Sequence, residues 1–266
     1  MFPHFSFQKS PRLRALLSPV FKLAGHCPAL VASVVGEFYN NARAFGIPRF
    51  RITGSDAGHE PIRLGLFAGL HGGEFAGCAA LTKFAAVLAG NPERAAGYEL
   101  TIYPVCNPTG CEAGTRENAA GLDLNREFWR GSAQPEVRIL EAELSEHRFD
   151  GIITLHADDT SEGLYGYAHG RVLNESLLKP ALRAAEVLLP CDRRGIIDGF
   201  FARESVICDC FQGILTAPPE QHPRPFDLIF ETPGRASFDL QICAAVTALQ
   251  SILAEYRGFI AYGQNL

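Results

Sequence analysis

The chain has 266 residues, 47% of them hydrophobic and 20% charged, enough apolar material to bury a sizeable core. A formal net charge of -5 excludes the basic footprint of a nucleic-acid-binding or anionic-membrane-binding protein. No run of eighteen uncharged apolar residues marks a transmembrane helix, and the 26 Gly and 17 Pro follow no collagen-like period.

Taken in chain order, residues 1–50 read as an N-terminal extension with an amphipathic helix over 27–45. The weak apolar stretch at 16–24 is interrupted by Pro19 and Lys22, and no small-residue cleavage site follows, so no signal peptide is expected. A strand–helix alternation then begins. IRLGLFA at 62–68 reads as a buried strand, 70–73 as a turn and 74–88 as an Ala-rich helix ended by Gly90. ELTIYPV at 99–105 is a second strand, followed by a long polar segment, 107–132, of the kind that often carries function. Pro135 opens a helix to about His147, DGIITL at 150–155 is a third strand and LYGYA at 164–168 a fourth. Residues 172–189 read as helix, FDLIF at 226–230 as the last strand and 235–256 as a closing amphipathic helix. Such alternation predicts a single α/β domain with a mixed, largely parallel central sheet flanked by helices, its core spanning 51–257.

The eight cysteines, Cys27, Cys78, Cys106, Cys111, Cys191, Cys208, Cys210 and Cys243, show no repeating spacing. Reduced thiols and a cytoplasmic location are expected. Cys208-x-Cys210 and Cys106-x4-Cys111 leave a metal-binding or redox alternative open, without a second CxxC-type pair to support it.

In open α/β sheets ligands gather outside the carboxyl ends of the strands. There the chain places His71-Gly72-Gly73-Glu74, then Asn107-Pro108-Thr109-Gly110, then His156, then Glu231-Thr232-Pro233. Two histidines and two glutamates, remote in sequence, converge on one sheet edge. His71, Glu74 and His156 would form a His2Glu set that leaves a catalytic zinc one open position. Taken alone, each piece has an ordinary reading: a turn histidine, a glutamate complementing a helix dipole, a core histidine at a strand end. Glu231, held at the sheet edge by the stop at Pro233, could take a proton from attacking water and hand it to a leaving amine. The polar segment adds Arg116 and Asn125-Arg126, whose guanidinium forks suit a carboxylate or an oxyanion. Asp123 could fix the tautomer of a ligand histidine. Asp158 and Asp159 follow His156 and read as solvated loop charges, with recruitment of a second ion or repulsion of acidic substrates as the rival reading. His59, His169 and His222 read as surface or structural residues.

His71-x-x-Glu74, Asn107-Pro108-x-Gly110, Arg116, Asp123-x-Asn125-Arg126, His156 and Glu231, in that order, resemble the M14 zinc metallocarboxypeptidases and their deacylase relatives over about residues 50–257. The wording GTREN…GLDLNR is closest to the murein-peptide amidase-like and succinylglutamate desuccinylase/aspartoacylase-like branches. The resemblance implies a zinc-carboxypeptidase-like sheet of about eight strands and one zinc per chain on His71, Glu74 and His156. It implies Glu231 as general base and acid, Arg116 on the oxyanion, Asn125 and Arg126 on a terminal carboxylate, and Asp123 behind the first histidine. The implied activity is cleavage of an amide next to a free carboxylate in a small peptide or acyl-amino acid. The alternatives are an N-acyl-amino-acid deacylase and a non-catalytic metal- or ligand-binding module. A small carboxylate-containing substrate is then the expected partner, with neither nucleic acid nor membrane. The chain departs from the resemblance at two points. Residues 209–230 contain no counterpart of the pancreatic-type mobile tyrosine, for which Tyr165 and Tyr167 are the candidates. The metal motif reads His-Gly-Gly-Glu where the aspartoacylase-like branch reads His-Gly-Asn-Glu.

Overall fold

The computed structural model describes residues 10–55 and 60–263; His59 lies outside them. Ten strands form one mixed sheet: β1 (Leu30–Asn40), β2 (Arg43–Thr53), β3 (Ile62–Ala68), β4 (Tyr98–Tyr103), β5 (Gly151–Asp158), β6 (Tyr165–Ala168), β7 (Ile196–Ile197), β8 (Phe200–Arg203), β9 (Val206–Ile207) and β10 (Phe226–Pro233). Their spatial order is β1-β2-β4-β3-β5-β10-β6-β9-β8-β7. The centre, β4-β3-β5-β10, is parallel; β1 and β2 are antiparallel to their neighbours, and β6 is antiparallel to β10 but parallel to β9. The sheet thus exceeds the expected eight strands. The runs at β7, β8 and β9 are two to four residues long, too short to show a period in sequence.

The helix expected over 27–45 is absent. In its place β1 and β2 form a hairpin that adds two strands to the sheet through pairing of β2 with β4. The segment LVASVV is rich in β-branched residues, and Asn41 and Ala42 both take positive φ (48° and 58°), the two-residue turn whose twist matches a hairpin. The N-terminal helix is instead α1 (Pro11–Ala24), with Ser10 as N-cap accepting from the Leu13 amide and Pro11 in the first turn.

The other helices fall where the periodicity puts them: α2 (Phe75–Gly90), α4 (Pro135–His147), and α7 (Phe238–Gly263). Between Arg171 and Ala185 the chain is helical in three pieces, α5 (Arg171–Leu173), a π-turn at Asn174–Leu178 and α6 (Lys179–Ala185). The polar segment also holds the short α3 (Pro108–Ala113) and a 3-10 turn, Leu124–Arg126. By composition Phe238–Ala261 is long and apolar enough to cross a bilayer. Here Ile242, Ala245, Leu249 and Ile252 are buried instead, and the helix packs on α2 and α6.

Strand alternation sorts residues to the two sheet faces. Leu64, Leu66, Ile153, Leu155, Leu228 and Phe230 join the large core shared with α1, α2, α6 and α7. Phe67 and Ile152 join the smaller core with Val137, Leu140 and Leu144 of α4. His156 on β5 and Glu231 on β10 follow the parity of this second face, which is the one that carries the candidate site.

Candidate active site

His71 follows β3 at the mouth of a tight turn. The Glu74 amide donates to the His71 carbonyl (3.1 Å), and α2 starts at the next residue. Gly72 is required there: a Cβ on it would lie 1.9 Å from the backbone carbon of Gly110 and 2.2 Å from the Cys111 nitrogen. Asn107 holds the two segments together. Its Oδ1 accepts from the Gly110 amide (2.9 Å) and its Nδ2 donates to the Leu70 carbonyl (3.2 Å). The Asn-Pro-x-Gly sequence thereby acts as a brace for the metal turn.

Three side chains meet at one point. Nδ1 of His71 and Nδ1 of His156 are 3.3 Å apart, and the Glu74 carboxylate lies 2.6 Å from the first through Oε1 and 2.9 Å from the second through Oε2. They are the only group of potential metal ligands of this kind among the described residues. Two nitrogens bound tetrahedrally to one zinc at about 2.0–2.1 Å would stand about 3.3–3.4 Å apart, the separation found here. The outer nitrogen of His71 faces Asp123 Oδ1 at 3.0 Å, which places its proton on Nε2 and the Nδ1 lone pair toward His156. His156 turns its Nδ1 to the same point, while its Nε2 is buried without a hydrogen-bond partner. The donor set therefore fits a zinc ion. The Ala157 amide donates to Glu74 Oε2 (3.0 Å), tying the helix-borne glutamate to the end of β5. Against the cost of burial, His156 and then His71 hold the Glu74 carboxyl well below the usual carboxylate range. For Asp123, likewise against burial, His71 and then Arg116 do the same.

Glu231 pairs with His156 across the parallel β10–β5 ladder and with Tyr165 across β10–β6. All three line a cavity of about 470 Å³ together with Glu74, Arg116 and Arg126. Burial pushes the Glu231 carboxyl up to about 8, with the charges of Glu74, Asp158 and Asp198 adding to it and His156 opposing. The expected strand end is corrected: β10 continues through Glu231 to Pro233, which still aligns with Asp158. On the β6 side pairing stops at Glu231, so an amide missing at Pro233 leaves no ladder bond unmade there.

The cationic residues divide their donors. Arg116 sets Nε and Nη2 on Asp123 Oδ2 (3.0 and 2.9 Å) and turns Nη1 toward Glu74 at 3.5 Å, so it supports the histidine-orienting carboxylate as well as facing the cavity. Arg126 donates through Nη1 to the Asn125 carbonyl (2.7 Å) and stacks on Phe211 at 4.0 Å. Asn125 uses Oδ1 to accept from the Leu215 amide (2.9 Å), which leaves its Nδ2 as a donor at the cavity wall. Asp158 accepts from the Thr160 amide (2.7 Å) and from the Tyr165 hydroxyl (3.0 Å). Of the two tyrosine candidates both line the cavity, and Tyr165 is fixed by this bond.

The cysteines are free, and none belongs to a metal-capable group among the described residues. Sequence reasoning missed Arg12, Asp198, Phe200 and Phe238 of the cavity wall. Arg12 lies over the Phe75 ring at 3.9 Å and reaches the cavity from α1. Ser10-Pro11 marks a helix start, but nothing in the sequence ties that helix to this cavity.

Asp123→Ala is expected to lower zinc affinity by about 10–100-fold, because the His71 tautomer is then no longer imposed. Competition against a calibrated chelator measures it; unchanged affinity would mean that Asp123 serves only Arg116.

Residues 61–191 match the family described as the succinylglutamate desuccinylase/aspartoacylase catalytic domain. No curated protein matches the chain in sequence. Among solved structures, a candidate metallopeptidase from Shewanella denitrificans OS217 superposes with a TM-score of 0.72 at 24% identity, over 91% of this chain and 88% of that one. One from Shewanella amazonensis SB2B gives 0.70 at 25%, over 90% of each. A metallo-carboxypeptidase from Burkholderia cenocepacia gives 0.70 at 17%, over 92% of this chain and 68% of that one. Ordered motifs, fold and family match point the same way: the chain has a metallocarboxypeptidase-like fold, and its residues 61–191 are similar to the succinylglutamate desuccinylase/aspartoacylase catalytic domain.

Proposed function

We propose that the protein is a zinc-dependent hydrolase that cleaves an amide bond next to a free carboxylate in a small peptide or acyl-amino acid. The observation that carries this reading is the His71–Glu74–His156 cluster facing Glu231 on one cavity that also presents Arg116, Asn125 and Arg126. Zinc held by the three ligands would supply a Lewis acid for the amide carbonyl and lower the pKa of water. The remaining steps belong to the chain. Asn125 Nδ2 and the free donors of Arg126 bind the substrate carboxylate, and stacking on Phe211 fixes the guanidinium beforehand. Glu231, whose ionised form the charge of the bound zinc would favour, accepts a proton from the attacking water and returns it to the leaving nitrogen. Arg116 Nη1 offers a donor to charge developing on the carbonyl oxygen.

Two substrate classes fit this arrangement. The neighbours named as carboxypeptidases, one of them from Pseudomonas aeruginosa in complex with (2-guanidinoethylmercapto)succinic acid, support a peptide substrate. The family match over 61–191 supports removal of an acyl group from an N-acyl-amino acid. Purified protein is expected to contain about one zinc per chain and to hydrolyse one class in a panel of free-carboxylate dipeptides, N-acetyl and N-succinyl amino acids. Metal-loaded protein with no turnover across the panel would point to a ligand-binding module, and protein that takes up no zinc would overturn the reading.

A further inference from the structure

Glu136 sits in the first turn of α4, where an acidic side chain ordinarily faces solvent and complements the helix dipole. Here it is only 1% exposed. The groups that bond to it are neutral, namely Thr109, Asn118 and its own amide, and burial prevails over them to raise the carboxyl above its ordinary value. A carboxylate buried among neutral donors costs stability, so its place calls for a reason beyond the helix dipole.

Its two oxygens reach two different segments. Oε1 accepts from the Thr109 hydroxyl (3.2 Å) in α3, and Oε2 accepts from Nδ2 of Asn118 (3.3 Å), which lies between Arg116 and Asp123. Both partners are buried. Asn118 Oδ1 accepts from the Ala120 and Leu122 amides (3.0 and 3.2 Å), and its backbone amide donates to the Leu122 carbonyl (3.0 Å). The chain between Arg116 and Asp123 is thus folded around this one side chain. Thr109 Oγ1 accepts from the Ala119 amide (3.1 Å) and lies 3.2 Å from Oδ1 of Asn107, the brace of the metal turn. From Glu136, one chain of bonds runs through Asn118 to the loop that ends in Asp123, and another through Thr109 to Asn107. Both finish at supports of His71: Asp123 on its Nε2, and Asn107 on the turn that carries it.

We propose that Glu136 is a positioning residue of the active site: acting through Asn118 and Thr109, it sets the placement of Asp123 behind His71 and of Arg116 at the cavity. An apolar side chain would fill the same space at lower cost but could not tie two segments to one point. The consequence for turnover rests on the hydrolase reading, whereas the consequence for metal binding needs only the His71–Glu74–His156 set.

Zinc affinity of the full chain, measured by competition with a calibrated chelator, tests this alongside chemical denaturation and steady-state kinetics. Glu136→Ala is expected to lower zinc affinity by about 10–100-fold, as loss of the support behind a ligand histidine does. Its kcat should fall with little change in KM, because Asn125 is anchored separately to Leu215 and Arg126 to Phe211. Glu136→Gln, which keeps an acceptor for Asn118 and a group able to bond Thr109, should bring zinc affinity back to within about 2–3-fold of the native value. A cycle with Asp123→Ala separates positioning from packing. Asn118→Ala should cost about tenfold in zinc affinity in the native background and less than about twofold once Asp123 is removed. If Glu136→Ala does not fold, the Asn118 cycle carries the test. Lost stability with native zinc affinity in both alanine variants, or equal losses of affinity in the two backgrounds, would overturn the proposal and leave Glu136 a packing group. The same coupling in a protein that hydrolyses nothing would uphold it and count against the hydrolase reading alone.

Discussion

Glu231→Gln is expected to reduce kcat for amide hydrolysis by about 10²–10⁴-fold while the protein keeps its zinc and its fold. Glutamine preserves the shape at the β10–β5 rung but can neither take nor return a proton. His71, Glu74 and His156 are 2.6–3.3 Å from one another without any help from Glu231, so the metal set is complete when the carboxylate is removed. The substrate carboxylate would still meet Asn125 and Arg126, so KM should change much less than kcat. Metal analysis alongside steady-state kinetics separates the outcomes. Loss of zinc would make Glu231 a ligand, and retained turnover would move the proton transfer to another group.

Gly72→Ala should have a comparably large effect by a different route. The added methyl would sit 1.9 Å from the Gly110 backbone carbon, where nothing flexible can yield. The 70–74 turn and the start of α3 must separate, at a cost of about 1–3 kcal/mol or more. The Asn107 bonds to Gly110 and Leu70 would be strained, and His71 and Glu74 would lose their shared aim. Chemical denaturation should register the destabilisation, and zinc titration a loss of affinity beyond the tenfold or so that displacing a single supporting contact brings. Native stability with native zinc affinity would show that the two segments move apart freely, contrary to the packing described.

How much of this was legible in the sequence depends on the range of the signal. Ile62–Ala68 and Pro135–His147 match the expected strand and helix limit for limit, because a buried β-branched or Leu-rich run and a proline-opened amphipathic run are local patterns. The 27–45 segment went the other way. Its apolar residues fit a helical period well enough, and only the pairing of β2 with β4 makes the hairpin the better solution. The convergence of His71, Glu74, His156 and Glu231 was foreseeable because residues that end neighbouring parallel strands must meet at one edge. The burial of Asp227 and the place of Arg12 in the cavity wall were not. Asp227 reads as an ordinary charge at the start of a strand, and it becomes a buried carboxylate only when β5, β6 and the 209–227 segment close around it.

The sequence by itself determined the strand–helix alternation, the order of the chemistry-bearing motifs and the ligand types, since each follows from local periodicity or from the valence of a side chain. The tertiary structure decided what those motifs face. Only folding brings two Nδ1 lone pairs within 3.3 Å, commits Arg116 to Asp123 as well as to the cavity, and stacks Arg126 on Phe211. The first and last of those contacts each join residues 85 positions apart, and their formation depends on loop closure and packing that no local pattern encodes.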